Sequence, residues 1–320
     1  MTDTIDLDLP DSTGKPATRQ TANLPFLLQW LTWPTALIGG LGAVLLAPRY
    51  GMDMVSASGA VTGVLILTLV VMERFWPADR KWAMTWRSFA RDIQFFVVNG
   101  LTIFLTNMAF AFIGIEASQG RVGPLTGAPL WLGVPVAVLV IEFFQYWQHR
   151  ISHEASGPLG RLMWRSHAAH HLPEQVYVLM HPAGHPLSTF FVRGFVTILP
   201  VYLLGLPPTG IVLALLVIGI QGIISHSNLD LRAGLFNYIF VGAELHRYHH
   251  SADLEEAGNY ATALSILDIL FGTFVYRPGE MPVEVGIAGP EVYPRSGQVL
   301  RIMLLPFHPL RRLPSQKIGS

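Results

Sequence analysis

The sequence predicts an all-α protein: a polytopic membrane helical bundle of four to six spanning helices with a histidine-rich helical cap on the cytosolic side. Three observations lead to this prediction. Hydrophobic residues make up 51% of the chain and charged residues only 13%, whereas a soluble domain has roughly 25% charged residues. Several apolar runs reach the length of about 20 residues that crosses a bilayer. Eight of the 12 histidines fall in three short blocks beside such runs.

The first part of the chain divides into a tail and a group of spans. Residues 1–22 are polar and acidic with no apolar run, so they are predicted to be a disordered cytosolic tail rather than a signal peptide. Residues 23–128 are predicted to form N-terminal transmembrane helices. Their apolar runs are Leu24–Ala47, Val55–Met72 and Ile93–Ile115.

The second part of the chain contains three more apolar runs and all three histidine blocks. The runs are Pro129–Tyr146, Leu187–Leu206 and Pro208–Ile224. The last two meet at adjacent prolines, which cannot continue a helix, so they are predicted to form a helical hairpin. Residues 277–320 are less hydrophobic and are predicted to be a cytosolic or interfacial segment. Within them Val299–Phe307 is apolar but too short to span.

The placement of basic residues predicts the orientation. If the N-terminus is cytosolic, the connections 48–54 and 116–128 face away from the cytosol, and they hold only two of the 21 Lys and Arg residues. Such asymmetry follows the positive-inside rule. The three histidine blocks and His226 then meet at the cytosolic face. The short loops favour a multi-pass protein of a bacterial inner membrane.

The histidine blocks predict a metal site. Residues three and four apart lie on the same side of a helix, so each block directs its imidazoles to one place. Imidazole suits iron, zinc, copper and nickel. The chain has no cysteine, which excludes thiolate sites, and its net charge of zero implies no general attraction to nucleic acid. The blocks are His149-x-x-x-His153, His167-x-x-His170-His171 and His246-x-x-His249-His250.

Three classes of metal protein compete for this pattern. A zinc peptidase would have Glu at the second position of His-x-x-x-His, where this chain has Arg150. A metal transporter would hold its ligands near the bilayer midplane, whereas these histidines lie at the ends of spans. Nine or more imidazoles exceed the four ligands of one zinc ion. The residues therefore favour a redox centre of two iron ions held by nitrogen.

The motifs resemble those of the fatty acid hydroxylase / sterol desaturase superfamily of integral-membrane di-iron enzymes. The resemblance covers about residues 130–276 and is highly specific, and the bacterial sterol-desaturase-like and alkylglycerol-monooxygenase-like branches look most similar. The motifs are His149-Arg-Ile-Ser-His153-Glu154, Trp164-Arg-Ser-His167-Ala-Ala-His170-His171, Ser225-His226-Ser-Asn228, Glu244-Leu-His246-Arg-Tyr-His249-His250-Ser251 and Asn259-Tyr-Ala-Thr with Leu267-Asp268-Ile-Leu-Phe271-Gly272-Thr273.

The resemblance implies a catalytic domain over residues 129–276 and a set of nine metal ligands. His185 is an optional further ligand, and His181 is interpreted as structural. The chain departs from the family pattern at Leu172-Pro173-Glu174, Tyr177 and Leu267, so the resemblance does not identify the substrate. The nine ligands are His149, His153, His167, His170, His171, His226, His246, His249 and His250.

Carboxylates near the motifs are predicted to accept hydrogen bonds from imidazole N–H groups and so to fix the rings. The candidates are Glu154, Glu174, Glu244 and Asp268. Glu142 is notable because an ionisable group inside a span needs a partner.

The same resemblance implies the reaction. Two iron ions and O2 would hydroxylate a C–H bond of a lipid that is fatty acyl, alkylglycerol or sterol-like. Two electrons would come from a separate ferredoxin- or cytochrome-type donor with its reductase. A desaturase with the same centre is the alternative enzyme. A metal transporter or a non-catalytic lipid-binding protein is the alternative from another class.

Overall fold

The computed structural model of the chain describes residues 23–118, 122–198 and 203–307. The predicted tail 1–22 and the last residues, 308–320, lie outside the described residues. The described chain is helical, with one isolated bridge between Ser251 and Val285. The predicted all-α membrane bundle is confirmed. The α-helices used below are α1 (Phe26–Pro34), α2 (Gly40–Leu46), α3 (Met54–Phe75), α4 (Trp86–Ser118), α5 (Leu130–Glu154), α6 (Gly157–His171), α7 (Pro186–Phe191), α8 (Pro208–Ser225), α9 (Ala243–His249), α10 (Ile266–Phe271) and α11 (Val299–Leu304).

Five helices in the described part of the chain are long and apolar enough to cross a membrane. They are Phe26–Tyr50, Met54–Phe75, Trp86–Phe110, Leu130–Glu154 and Pro208–Ser225. The first combines α1 and α2, which are joined by a π-helical stretch over Thr35–Gly39. Pro34 lies at that junction, and a proline inside a helix removes one backbone hydrogen bond and crowds the preceding turn.

The remaining predicted run, Leu187–Leu206, is not one continuous helix in the described residues. Helix α7 leads into a π-helix over Val192–Ile198. Residues 199–202 lie outside the description, so a sixth span stays a prediction.

Helix α8 is the centre of the bundle. More than half of its apolar window is buried, against about a fifth for the first three spans. Leu216 and Ile220 pack in one core with Leu69 of α3. The Trp33 indole N–H donates to the Gln221 side-chain oxygen at 2.7 Å, so the first span is tied to α8 by a buried hydrogen bond as well as by apolar contact.

The cap is built on α6, whose one face packs against the C-terminal part of the chain. Trp164 and Ala168 share a core with Tyr293 and Ile302. The Trp164 indole N–H donates to the Tyr293 hydroxyl at 2.8 Å. This packing fixes the rotation of α6, and with it the direction in which its histidines point.

Candidate metal centre

Nine buried or half-buried histidines form two groups at the junction of the bundle and the cap. Within each group, one ring nitrogen from every member lies within 4.8 Å of the others. The five-histidine group is His149, His153, His167, His171 and His249. The four-histidine group is His170, His226, His246 and His250.

Helix geometry explains how each His-x-x-His-His block is divided between the groups. Each residue turns the helix by about 100°, so residues four apart nearly eclipse, whereas a residue three along lies about 60° to the other side. On α6, His167 and His171 join the five-histidine group and His170 joins the other. On α9 and its C-terminus, His246 and His250 join the four-histidine group and His249 joins the five-histidine group. Each block therefore bridges both groups.

Backbone carbonyls fix the orientation of four rings through their Nδ1 atoms. Each Nδ1 lies 2.6–3.0 Å from a carbonyl oxygen. This arrangement leaves Nε2 of the same ring facing the interior of its group. The pairs are His149 with Tyr260, His170 with Ala183, His226 with Gly222 and His249 with Gly258.

The Nε2 atoms of His170 and His226 face each other and are well placed to share a cation. They are 3.0 Å apart. A neutral imidazole has one N–H and one lone pair. If Nδ1 of each ring carries the hydrogen and donates it to the carbonyl, the two Nε2 lone pairs face each other. If Nε2 carries the hydrogen instead, the Nδ1 lone pair of that ring faces a carbonyl oxygen.

The spacing also fits a shared metal ion. Two nitrogens at right angles and about 2.1 Å from one ion would be about 3.0 Å apart. Six neighbouring Nε2–Nε2 pairs within the groups are 2.9–3.2 Å apart. In addition, Nε2 of His153 is buried with no hydrogen-bond partner among the described residues. The donor set thus fits metal ions of the kind that imidazole binds.

Burial keeps the rings of the cap uncharged. It lowers the pKa of His170 to about 4, and it places the pKa values of His171, His246, His249 and His250 well below the ordinary value, because a charged ring loses its hydration there. Neutral imidazoles are the form that binds metal, so the groups need no deprotonation at neutral pH.

Two buried carboxylates hold the segment 259–264, which supplies the carbonyl that orients His149. Asp268 accepts from the backbone N–H groups of Tyr260 and Ala261 at 2.7 and 3.1 Å. Glu142, which is fully buried, accepts from the Thr262 hydroxyl at 2.7 Å and from three successive backbone N–H groups, those of residues 262–264. Glu142 therefore has the hydrogen-bond partners that a carboxylate inside a span needs, and most of them are backbone N–H groups.

Among the described residues, none of the four predicted carboxylates is hydrogen-bonded to an imidazole ring, so their role beside the rings stays a prediction. Glu154 instead pairs with Arg150, and Glu244 accepts from the Asn237 amide at 2.7 Å. Asp268 binds backbone as described, and no hydrogen bond to Glu174 is found among the described residues. Four of the rings are instead held at Nδ1 by backbone carbonyls, three from loops and one, that of Gly222, from helix α8.

His185 and His181 lie in the same loop but in different surroundings. The Leu187 N–H donates to His185 Nδ1, and His185 Nε2 donates to the Met303 carbonyl, both at 3.0 Å. His185 is thus fully engaged in capping α7 and holding the C-terminal segment, and it stands outside both groups. His181 instead lies against His226, with ring centroids 4.7 Å apart.

Comparisons with known proteins agree with this site. Residues 134–273 match the fatty acid hydroxylase family model, and this stretch contains all nine grouped histidines. The chain is 28% identical over 278 residues to the ornithine lipid hydroxylase OlsE of Rhizobium tropici, covering 81% of this chain and 79% of the relative. No solved structure matches.

Two plant relatives share a shorter stretch. The very-long-chain aldehyde decarbonylase GL1-11 of Oryza sativa subsp. indica is 30% identical over 55% of this chain and 64% of its own length. The methylsterol monooxygenase 2-2 of Arabidopsis thaliana is 27% identical over 45% of this chain and 54% of its own length. The chain thus spans less than two thirds of either plant relative. The matched motif stretch and these relatives confirm the predicted resemblance to the fatty acid hydroxylase superfamily.

Proposed function

We propose that this chain is a membrane di-iron oxygenase that hydroxylates a C–H bond of a lipid, with O2 as co-substrate and two electrons from an external donor. The observation that carries the proposal is the pair of imidazole Nε2 atoms, of His170 and His226, that face each other at 3.0 Å in a buried site made of imidazole alone. Similarity to the family, and to relatives named as a lipid hydroxylase and a sterol monooxygenase, supports the reaction class.

The two histidine groups would each hold one iron ion. When bound, such a pair supplies the O2 chemistry that removes hydrogen from an unactivated C–H bond. The chain supplies neutral nitrogen donors, fixes ring orientation through the carbonyls of residues 183, 222, 258 and 260, and excludes water by burial. We assign this work to residues 129–276.

The substrate would reach the site from the membrane. Phe143 and Phe144 of α5 are 41% and 49% exposed and precede His149 by less than two turns, so they would face lipid close to the metal groups. OlsE is named for hydroxylating ornithine lipid. Amine-bearing membrane lipids therefore come first among the substrates to test, followed by acyl, alkylglycerol and sterol-like lipids.

Hydroxylation is expected to add oxygen from O2 to a membrane lipid. Membranes that contain the chain, incubated under 18O2 with a ferredoxin and its reductase, should yield a lipid heavier by one 18O atom. Mass spectrometry of the lipid extract measures this gain, and membranes without the chain are the control. A product lighter by two hydrogens and free of label would identify a desaturase instead. No O2 consumption with any lipid, despite full metal content, would favour a transporter or a binding protein.

The external donor is expected to dock on the cap. The chain has no cysteine and so offers no thiolate cluster of its own for storing electrons. The donor would therefore approach the histidine groups from the side opposite the lipid.

We place the cap and the metal groups in the cytosol, as the distribution of Lys and Arg suggests. The absence of cysteine gives a ready labelling background. Tyr50→Cys and Val283→Cys, at positions 85% and 81% exposed, lie on opposite sides of the proposed membrane. In intact spheroplasts a membrane-impermeant maleimide should label Tyr50→Cys alone, and lysis should be needed to label Val283→Cys. The reverse pattern would contradict the orientation.

A further inference from the structure

His181 lies where a side chain at position 222 of α8 would project. A Cβ atom added to Gly222 would come within 3.0 Å of His181 Nε2. Gly222 precedes His226 by four residues, and such residues are neighbours on one face of a helix. The His181 ring thus stands beside His226 on the side of α8 that faces the four-histidine group.

The loop that carries His181 is held firmly at two points. The buried Asn99 amide of α4 donates to the carbonyls of Pro182 and Gly184, at 2.9 and 2.8 Å. His170 Nδ1 bonds to the Ala183 carbonyl at 2.9 Å. The loop is therefore anchored to α4 on one side and to a ring of the four-histidine group on the other.

The His181 ring itself makes no hydrogen bond to any described residue, although both nitrogens can bond. The neighbouring group has four histidines where its counterpart has five. A nitrogen donor without a partner thus stands next to the group that is one donor short.

We propose that His181 supplies the fifth nitrogen donor of the four-histidine group. This inference rests on the proposed function, because it assumes that each group holds a metal ion. Gly222 is part of the arrangement, since its missing side chain leaves the room that the His181 ring occupies.

Loss of His181 is expected to weaken one metal site and spare the other. The full-length protein in detergent is loaded anaerobically with ferrous iron, challenged with a graded series of chelator and assayed for iron per chain. Wild type should hold two ions. His181→Ala should release one of them at chelator concentrations at least about tenfold lower, as expected when a supporting group of a metal site is removed. His185→Ala, four residues along the same loop, is the matched control and should release both ions as wild type does.

A second variant separates loss of the donor from loss of folding. Gly222→Ala favours the helix but sets a methyl group 3.0 Å from His181 Nε2, so it should displace the ring and weaken the same ion. If His181→Ala and Gly222→Ala both keep two ions with the chelator resistance of wild type, the inference is wrong. If wild type itself does not bind two ions, the proposed function fails instead.

Discussion

Replacement of His249 by alanine is expected to abolish product formation and to empty the five-histidine group. His249 is 1% exposed, its Nδ1 is held by the Gly258 carbonyl at 3.0 Å, and its Nε2 lies 3.2 Å from that of His171. Mutation of groups that only support a metal ligand costs about 10–100-fold in affinity or activity. Removal of a ligand itself should therefore lower activity by more than about a hundredfold, measured as hydroxylated lipid per chain alongside iron content.

His185→Ala again provides the comparison, because His185 is also buried but bonds only to backbone groups outside both histidine groups. It should keep its iron and its activity while melting at a lower temperature. Full iron and full activity in His249→Ala would remove His249 from the ligand set.

Exchange of Glu142 for leucine is expected to destabilise the fold strongly, because it removes a buried hydrogen-bond acceptor. The Glu142 carboxylate accepts four hydrogen bonds from residues 262–264, three of them from backbone N–H groups to one oxygen, Oε2. Leucine has no acceptor and would leave these backbone N–H groups unsatisfied, and each buried unsatisfied group costs about 1–3 kcal/mol. We expect the free energy of unfolding to fall by at least about 3 kcal/mol, measured by thermal or chemical unfolding in detergent. The iron affinity of the five-histidine group should fall as well, because the carbonyl that orients His149 belongs to the same segment.

The same exchange at Glu154 is the control for this prediction. Glu154 lies on the same helix, but its side chain is 30% exposed and pairs with Arg150 four residues earlier. Surface pairs of this kind contribute about 0.3–0.5 kcal/mol. Equal unfolding temperatures for the two leucine variants would show that the buried hydrogen bonds of Glu142 add nothing to stability.

The sequence predicts that the histidines come together, but it does not predict which atoms hold their rings in orientation. Because the histidines of a block are spaced by three and four residues, they lie on one side of a helix. Hydropathy predicts the membrane spans whose ends bring the blocks together. The atoms that orient the rings are backbone carbonyls, of residues such as Ala183 and Gly258. Every residue has a carbonyl, so no residue type marks these positions.

The different surroundings of His181 and His185 could not be predicted for a similar reason. Their assignment depends on which of two histidines in one loop turns toward α8. That choice is made by Asn99 on a distant helix and by the space left at Gly222. Glu142, in contrast, could be recognised from sequence as a group in need of a partner, because a carboxylate inside an apolar span is costly to leave alone. Which segment meets that need is a property of the tertiary structure.

The way the histidine blocks are shared between the two groups sets the order of events during synthesis. Each group takes members from α6 and from α9 with its C-terminus, so the two groups are interlocked through the chain. A nascent chain that stops before residue 246 has neither group complete. If the groups hold metal ions as proposed, complete loading would have to follow translation of the last block, which makes it a late step in the maturation of this protein.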